Sequence, residues 1–357
     1  MGFFYDKIIA MKFLKDLAKK NLTGKTCLLR VDFNIESVKD SLRLEESLPT
    51  IKFLLQKGAR VVILSHRGRP NTSIKYKVVS SKRFDSELSL RVFIPFLRKN
   101  LRKKIIYLND IPDKLPNGKV FLLENLRFWP EEEADDLNFA KQLANLGDFY
   151  VNDAFAVSHR KNASVTQLPK LLPAYAGLLM EKEIGTLSEV IKNPKKPLVL
   201  IFGGAKIEDK LPVIKNLLPK ANKVLLGSSI LNYQYFTLLI QDKKVIRPKD
   251  YAGESSEALD IGPLTVEEYK KEIQNAGTII WNGPLGKFED KKYATGSIAI
   301  AKAVAASKAF SIVGGGETAQ LILKLGLRNK IGFLSTGGGA MLEFLSGKKL
   351  PGIEALK

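Results

Sequence analysis

The chain has 357 residues, of which 45% are hydrophobic, with one cysteine and a formal net charge of +20. This length exceeds what one hydrophobic core usually organises, and it predicts two domains. The single Cys27 excludes an internal disulfide and a thiolate metal cluster, and no apolar run reaches the roughly 18–20 residues of a membrane-spanning helix.

Strand-like and helix-like runs alternate through the first half of the chain. We predict strands at 26–32, 60–65, 119–123 and 148–152, and helices at 48–57, ended by Gly58, and at 136–144. Such alternation is typical of βαβ units, in which helices cover both faces of a parallel sheet.

The second half repeats this alternation after a boundary. A periodic stretch over 176–191 predicts a connecting helix, and the prolines at 194 and 197 mark its end. Further strands are predicted at 198–202, 223–226, 278–281, 310–313 and 330–334. We therefore expect an α/β domain over 1–175, a connecting helix over 176–192 and a second α/β domain after it. Ligands of such sheets bind beyond the carboxyl ends of the strands.

Arginine and histidine follow the predicted strands of the first domain. Guanidinium groups bind carboxylate and phosphate oxygens, and each charge-assisted hydrogen bond contributes about 1.5–3 kcal/mol. Arg30 lies inside a strand, which suggests a structural ion pair instead. Asp32 and Asn34 alternate along an extended segment, so they bond either a substrate hydroxyl or their own loop. We predict a small ligand with a phosphate at one end and a carboxylate or acyl phosphate at the other, bound by His66, Arg69, Arg127, Arg160 and Arg43, the last in the loop before the first helix.

Three glycine-rich turns follow strands of the second half, at 203–204, 314–316 and 337–339. Glycine lets the backbone approach a phosphate, and a helix N-terminus offers free N–H groups. Lys206 and Lys210 are four residues apart, so we expect them on one helix face. Three such turns predict a ligand that carries several phosphates.

Two carboxylates are candidates for contacts with a nucleotide. Trp281 and Glu289 flank a turn that either frames a ribose, with Glu289 accepting from its hydroxyls, or is an ordinary Asn-Gly-Pro turn. Glu317 begins a predicted helix and is either a dipole cap or a Mg²⁺ ligand beside phosphates. Walker A, G-x-G-x-x-G and G-x-S-x-G patterns are absent, which argues against a P-loop ATPase, a dinucleotide oxidoreductase and an α/β-hydrolase.

Taken together, these motifs resemble those of the phosphoglycerate kinase family. The matching stretches come in the family's order, at 29–34, 65–70, 122–128, 150–155, 203–206, 260–263, 281–284, 314–316 and 335–340. The resemblance implies two Rossmann-like three-layer αβα domains with parallel sheets: a triose-phosphate domain over 1–175 and a nucleotide domain over 193–340. It also implies a hinge helix over 176–192 and a C-terminal segment, 341–357, that packs back on the first domain.

The resemblance implies a reaction and a set of site residues. The reaction is reversible Mg²⁺-dependent phosphoryl transfer from 1,3-bisphosphoglycerate to ADP, giving 3-phosphoglycerate and ATP in glycolysis, by hinge closure of a cytoplasmic monomer. Triose binding is implied for Asp32, Phe33, Asn34, Arg43, His66, Arg67, Gly68, Arg69, Arg127 and Arg160. Nucleotide binding is implied for Gly204, Lys206, Lys210, Asn282, Pro284, Glu289, Gly315, Gly316, Glu317 and Thr318, with Glu317 on Mg²⁺. The catalytic group would be Arg43, Lys206 and the backbone N–H groups of Gly337, Gly338 and Gly339.

The sequence departs from the family pattern beside the adenine. The segment 227–231 reads Gly-Ser-Ser-Ile-Leu instead of Gly-Gly-Gly-Met-Ala, and 231–259 is shortened. Glu317 stands where the family has aspartate, Asn162 replaces a histidine and Ala156 replaces a glycine. We therefore expect altered base recognition and metal geometry. A weakened relative kept for binding or regulation is the alternative to an active enzyme.

The positive charge leaves three explanations open. It is spread along the whole chain, which favours a basic composition of the solvated surface, followed by a field that attracts polyanionic metabolites. Nucleic-acid binding is the third explanation, but homeodomain, zinc-finger, RNP and KH patterns are absent. We therefore expect small-molecule substrates, and neither a nucleic-acid nor a membrane partner.

Overall fold

The computed structural model describes residues 11–36, 42–70, 87–204, 208–228, 241–253 and 258–357. By their contacts the residues divide into two compact units. Unit 1 comprises Met1–Lys182 and Lys349–Lys357, and unit 2 comprises Glu183–Lys348. The predicted domain borders at 175, 192 and 340 stay predictions.

A parallel sheet forms the centre of unit 1. Its strands are β1 (Thr26–Arg30), β2 (Arg60–Leu64), β3 (Ile105–Leu108), β4 (Val120–Leu123), β5 (Phe149–Asn152) and β6 (Ala174–Ala176). They lie side by side in the order β3-β4-β2-β1-β5-β6, and each neighbouring pair is parallel. β1, β4 and β5 are buried along their whole length, which fits the apolar residues that make up most of each strand. The carboxyl ends of all these strands therefore meet at one edge.

Helices flank the sheet of unit 1. They are α1 (Leu42–Gln56), α2 (Ile94–Leu101), α3 (Pro130–Glu133), α4 (Leu137–Ala144), α5 (Leu168–Leu171) and α6 (Leu178–Lys192), the last of which continues into unit 2. Asp136 caps α4, because its side chain accepts from the Phe139 N–H. The prediction for α1 was wrong at its start: it begins at Leu42, with Pro49 inside it, so Arg43 lies on the helix and not in a loop.

Unit 2 contains a second parallel sheet. The strands described in unit 2 are β7 (Leu198–Phe202), β8 (Lys223–Leu226), β9 (Val245–Ile246), β10 (Tyr251–Ala252), β11 (Asp260–Ile261), β12 (Thr278–Asn282), β13 (Phe310–Gly314) and β14 (Phe333–Leu334). β10 and β11 form a separate antiparallel pair. The others lie in the order β14-β13-β12-β7-β8-β9 with parallel neighbours. The predicted strand 330–334 is shorter than expected, because Arg328–Lys330 forms a 3₁₀ turn.

Two of the helices described in unit 2 begin within the glycine-rich turns 314–316 and 337–339. The helices described in this unit are α7 (Leu211–Leu217), α8 (Pro263–Gln274), α9 (Thr295–Ala306), α10 (Gly316–Lys324) and α11 (Gly339–Leu345). A last helix, α12 (Pro351–Glu354), belongs to unit 1, where the Gly352 N–H donates to the Ser158 carbonyl at 2.8 Å. None of the helices described is long and apolar enough to cross a membrane.

Candidate active site

Asp32 and Asn34 build the loop that follows β1. Asp32 Oδ1 accepts from the Asn34 N–H at 2.9 Å, and Asp32 Oδ2 lies 3.0 Å from Nη1 of Arg43. The same Nη1 donates to the Asn34 carbonyl, and Asn34 Oδ1 accepts from the Gly68 N–H at 2.8 Å. Both side chains therefore hold their own loop, which is the second of the two roles predicted for them. They also place Arg43 and Gly68 beside each other.

His66 follows β2 and lies at the centre of several guanidinium groups. Its side chain is buried, 3.8 Å from Asp32 Oδ1. Burial lowers the pKa of His66 well below its usual range, and the charges of four arginines lower it further: Arg30, Arg127, Arg160 and Arg43. An imidazole in this setting is neutral at physiological pH.

Arg127 adds to the same positive cluster. Its Nε lies 3.1 Å from Glu133, and its Nη1 donates to the Gly68 carbonyl. Burial lowers the pKa of Arg127; Glu133 raises it again, while Arg160, Arg30 and Arg69 lower it. The structure thus brings Arg43, Arg127, Arg160 and Arg69 close enough to influence His66 or one another, which concentrates positive charge in this part of unit 1.

Asn125, which the sequence analysis did not single out, joins two loops of this cluster. Its Oδ1 accepts from the N–H groups of Arg67 and Arg127, both at 3.1 Å. Its Nδ2 donates to the carbonyls of Arg67 at 2.7 Å and Leu88 at 3.0 Å. One fully buried amide therefore satisfies all its hydrogen-bonding capacity by holding the 66–68 loop against the turn that carries Arg127.

Three residues near the cluster have structural contacts. Phe33 is fully buried and stacks edge-on against Phe93, so its side chain packs in the core of unit 1. The guanidinium of Arg67 donates to backbone carbonyls, among them Ile35 at 3.1 Å and Glu36 at 2.7 Å. Arg30 forms the predicted ion pair, 3.9 Å from buried Glu132.

The glycines after β7 and β12 let two turns of unit 2 touch. A Cβ on Gly203 would lie 2.0 Å from the Pro284 carbonyl oxygen, and one on Gly283 would lie 2.0 Å from the Gly203 carbonyl oxygen. Gly204 has a φ of 77°. Only glycine fits this approach of backbone to backbone.

The two lysines of the first turn differ from the prediction. Buried Lys210 lies in a turn whose described residues are 208–210, and α7 starts only at Leu211. The prediction of a helix face shared by both lysines is therefore wrong at Lys210. Its Nζ lies 3.6 Å from where a Cβ on Gly204 would be, which places the ammonium beside the glycine turn. Lys206, a predicted catalytic residue, lies outside the described residues, as do Ser229 and Ile230.

The turn before α10 runs from buried Gly314 to exposed Gly316. Gly315 has a φ of 98° and precedes the helix, and exposed Glu317 lies in the first turn. Thr318 is buried, and its Oγ1 accepts from the Gly283 N–H at 2.8 Å. The amide Nδ2 of Asn282 is buried and has no hydrogen-bond partner among the residues described, and a Cβ on Gly315 would lie 3.1 Å from it. A donor in this state fits an acceptor supplied by a ligand.

A buried carboxylate holds the turn before α11. Glu183, on α6, accepts from Ser335 Oγ at 2.7 Å, from the Thr336 N–H at 2.7 Å and from Thr336 Oγ1 at 2.9 Å. The Gly337 N–H donates to Ser335 Oγ at 3.0 Å, and Gly338 has a φ of 45°. The turn 337–339 therefore rests on α6, a support that motif spacing does not reveal.

Trp281 does not frame a ribose. Its side chain is fully buried in the core of unit 2, and its Nε1 donates to the Gly283 carbonyl at 2.8 Å. The ribose role predicted for its side chain is therefore wrong. Glu289, the other half of that prediction, is exposed. Strand alternation explains the burial, because Trp281 points to the same face of β12 as core residue Ile279.

A cluster of arginines in one unit and glycine-rich turns of the kind that bind phosphates in the other are typical of a phosphoryl-transfer protein. The phosphoglycerate kinase family model matches residues 14–245 and 234–348. The chain is 39% identical to a phosphoglycerate kinase of Dictyoglomus turgidum, over 98% of this chain and 100% of that one, and 39% identical to one of Moorella thermoacetica, over 96% and 98%.

Solved structures give the same result. The phosphoglycerate kinase of Coxiella burnetii is 32% identical with a TM-score of 0.80, covering 97% of this chain and 98% of that one. The enzyme of Pyrococcus horikoshii OT3 is 32% identical with a TM-score of 0.81 and the same coverage. The chain belongs to the phosphoglycerate kinase family, whose members are glycolytic kinases that use Mg²⁺ with ATP or ADP. The predicted family, α/β fold class and enzyme class are confirmed.

Proposed function

We propose that this chain transfers a phosphoryl group reversibly between 1,3-bisphosphoglycerate and ADP, with the triose on unit 1 and the nucleotide on unit 2. The observation that carries the proposal is the set of arginines around the buried imidazole of His66, at the carboxyl edge of the first sheet. Such a cluster favours a small ligand with negative charge at both ends. We further propose a cytoplasmic monomer.

The triose site uses side chains at the carboxyl edge of the first sheet. Arg69, Arg127 and Arg160 bind its phosphate and carboxyl oxygens, and His66 donates a further hydrogen bond. Asp32 and Asn34, which hold their own loop, also bind the hydroxyl of the triose. Phe33, Arg67 and Gly68 form the wall behind these groups, since Arg67 is occupied by backbone carbonyls and Gly68 contacts Asn34 and Arg127.

The nucleotide site uses the glycine turns of unit 2. Gly204, Lys206 and Lys210 bind phosphates at the end of β7, and Gly315 and Gly316 offer N–H groups at the start of α10. Asn282 Nδ2 donates to the nucleotide, because its buried amide lacks a partner in the described chain. Pro284 and Thr318 shape the turn, and Glu289 accepts from the ribose.

The residues at the start of α10 fit Mg²⁺. No group of three or more acidic, histidine or cysteine side chains able to hold a metal occurs in the described ranges. Mg²⁺ beside phosphates usually takes only one or two protein carboxylates, and exposed Glu317 supplies one. When bound, the metal neutralises charge on the phosphates.

Transfer requires no general base, because the attacking oxygen is already anionic. The task is positioning and neutralisation of charge. Arg43, Lys206 and the N–H groups of Gly337, Gly338 and Gly339 stabilise the charge on the transferred group. We propose that a hinge along α6 brings the two ligands together and excludes water.

A coupled assay tests the proposal. We expect the purified chain to consume NADH when it is supplied with 3-phosphoglycerate, MgATP and a linked reporter enzyme. Arg160→Ala should lower kcat/KM by about tenfold or more, and Arg98→Ala, which removes an exposed arginine on α2, should not change it. A folded chain that binds both ligands without turnover would instead be a weakened relative.

A further inference from the structure

His66 and Arg30 meet inside unit 1, where β1 and β2 are neighbours. Nη2 of Arg30 lies 3.3 Å from Nδ1 of His66, and both side chains are almost fully buried. A guanidinium group has only N–H donors and no acceptor, so Nδ1 must accept in this contact. A ring nitrogen that accepts a hydrogen bond carries no proton.

Asp32 does not compete for this nitrogen. Its Oδ1 is 3.8 Å from Nδ1, which exceeds hydrogen-bond length. Oδ1 already accepts from the Asn34 N–H, and Oδ2 already pairs with Arg43. The carboxylate is therefore engaged on both oxygens, and a proton on Nδ1 would face the guanidinium of Arg30.

The guanidinium of Arg30 is held in this orientation by three other contacts. Its Nε donates to Ser164 Oγ at 2.9 Å, and its Nη1 donates to the Val31 carbonyl. Glu132 lies 3.9 Å away and accepts from Ser164 N–H at 2.9 Å and Oγ at 2.6 Å. Because each edge of the guanidinium has a partner, Nη2 stays directed at the imidazole.

We infer that Arg30 is a positioning residue that keeps His66 in its neutral form with the proton on Nε2. In the described part of the chain nothing accepts that Nε2 proton, so it remains available to an anionic ligand. The identification of this ligand as the triose rests on the proposed function, whereas the protonation state of the His66 ring does not.

Among the described residues, four arginines and one carboxylate act on the charge of His66. Arg30, Arg43, Arg127 and Arg160 oppose a positive ring, and Asp32 favours it. Glu132 lies behind Arg30. His66 therefore donates one hydrogen bond from a neutral ring across the physiological pH range, whereas an ordinary histidine changes charge between about pH 5 and 8.

The test observes the ring nitrogens by long-range ¹H–¹⁵N correlation of the ¹⁵N-labelled full chain. The chain contains two histidines, so His159→Gln assigns the spectrum. We expect His66 to show a protonated Nε2 and an unprotonated Nδ1, without titration between about pH 5 and 8. A protonated Nδ1, or an imidazolium at pH 7, would overturn the inference.

A double variant tests whether Arg30 is the cause. Arg30→Met with Glu132→Gln removes the buried pair together and leaves no unpaired charge. We expect the Nδ1–H form to appear, because Nδ1 no longer accepts from a guanidinium. The KM for 3-phosphoglycerate should then rise about tenfold, because Nε2 no longer carries a proton for the ligand to accept.

Arg60→Met is the matched control, because Arg60 lies at the opposite end of β2 and donates to the carbonyls of Gly118 and Pro116. It should leave the His66 spectrum unchanged. A folded double variant in which His66 remains a non-titrating Nε2–H ring would overturn the role of Arg30. If the spectrum is as expected but 3-phosphoglycerate neither shifts it nor is turned over, the proposed function fails and the inference stands.

Discussion

Positive charge that nearby acids only partly offset distinguishes the arginine cluster of unit 1 at the scale of single residues. Asp32 and Glu133 each contact one arginine. Burial lowers the pKa values of His66 and Arg127, and neighbouring arginine charges lower both further. Residue type and position after a strand were enough to predict these arginines. They were not enough to show that Arg67 binds backbone carbonyls or that Trp281 is buried, because both depend on packing around the residue.

Arg43 is the residue whose removal should affect the chemical step most. It reaches over Asp32 and Asn34 from the first turn of α1. We expect Arg43→Ala to lower turnover by roughly 10³-fold, by analogy with arginine fingers. Steady-state kcat in the coupled assay is the measurement, with Arg98→Ala as control. A loss below tenfold would remove Arg43 from this role.

At the scale of elements, buried side chains link the segments that carry the sites. Uninterrupted apolar runs made most strands predictable, including β2, β4 and β7. β3 and β6 were missed: β3 is only half-buried, and β6 has three residues. The supports provided by Asn125 and Glu183 were also missed, because their partners are distant in sequence.

Asn125→Ala should weaken triose binding without removing any charge. The variant loses four hydrogen bonds that hold the 66–68 loop and the Arg127 turn together. We expect the KM for 3-phosphoglycerate to rise by about tenfold, while the KM for MgATP stays unchanged. Asn100→Ala on α2 is the control, since Asn100 donates to its own helix. A fall in unfolding free energy with both KM values unchanged would limit Asn125 to stability.

Asp153 connects β5 to the start of α6 and makes stability depend on pH. Its Oδ1 accepts from the Leu179 and Met180 N–H groups, and burial raises the pKa of Asp153 to about 6. A raised carboxyl pKa means that the native state binds the proton more tightly, so stability falls as pH rises from about 4 to about 6. Asp153→Asn should remove this loss.

Wild type should lose about 1.4 kcal/mol of unfolding free energy from pH 5 to pH 7 that Asp153→Asn does not lose, measured by urea titration at each pH. Asp148→Asn is the control. Burial raises the pKa of Asp148, but the Thr26 N–H and Lys25 together hold it below its usual range. The effect of Asp148 on stability therefore lies below pH 5. Parallel pH curves for wild type and Asp153→Asn would contradict the assignment.

At the scale of the whole molecule, two units of the same layered type carry complementary charge chemistry. The alternation of runs was sufficient to predict two parallel sheets, but not the strand orders β3-β4-β2-β1-β5-β6 and β14-β13-β12-β7-β8-β9. Strand order depends on which neighbours pack best, and that information is spread over the whole chain. The division of the two ligands between the units, with the triose on unit 1 and the nucleotide on unit 2, is the central proposal.

The steady-state kinetics of one variant in each unit test that division most directly. Arg160→Ala removes a charge from the cluster, and Gly315→Ala places a Cβ 3.1 Å from Asn282 Nδ2 at a φ of 98°. We expect Arg160→Ala to raise the KM for 3-phosphoglycerate by about tenfold or more with little change in the KM for MgATP, and Gly315→Ala to do the reverse. If both folded variants raise the same KM, or if the two effects are exchanged, the two ligands are not divided between the units as we propose.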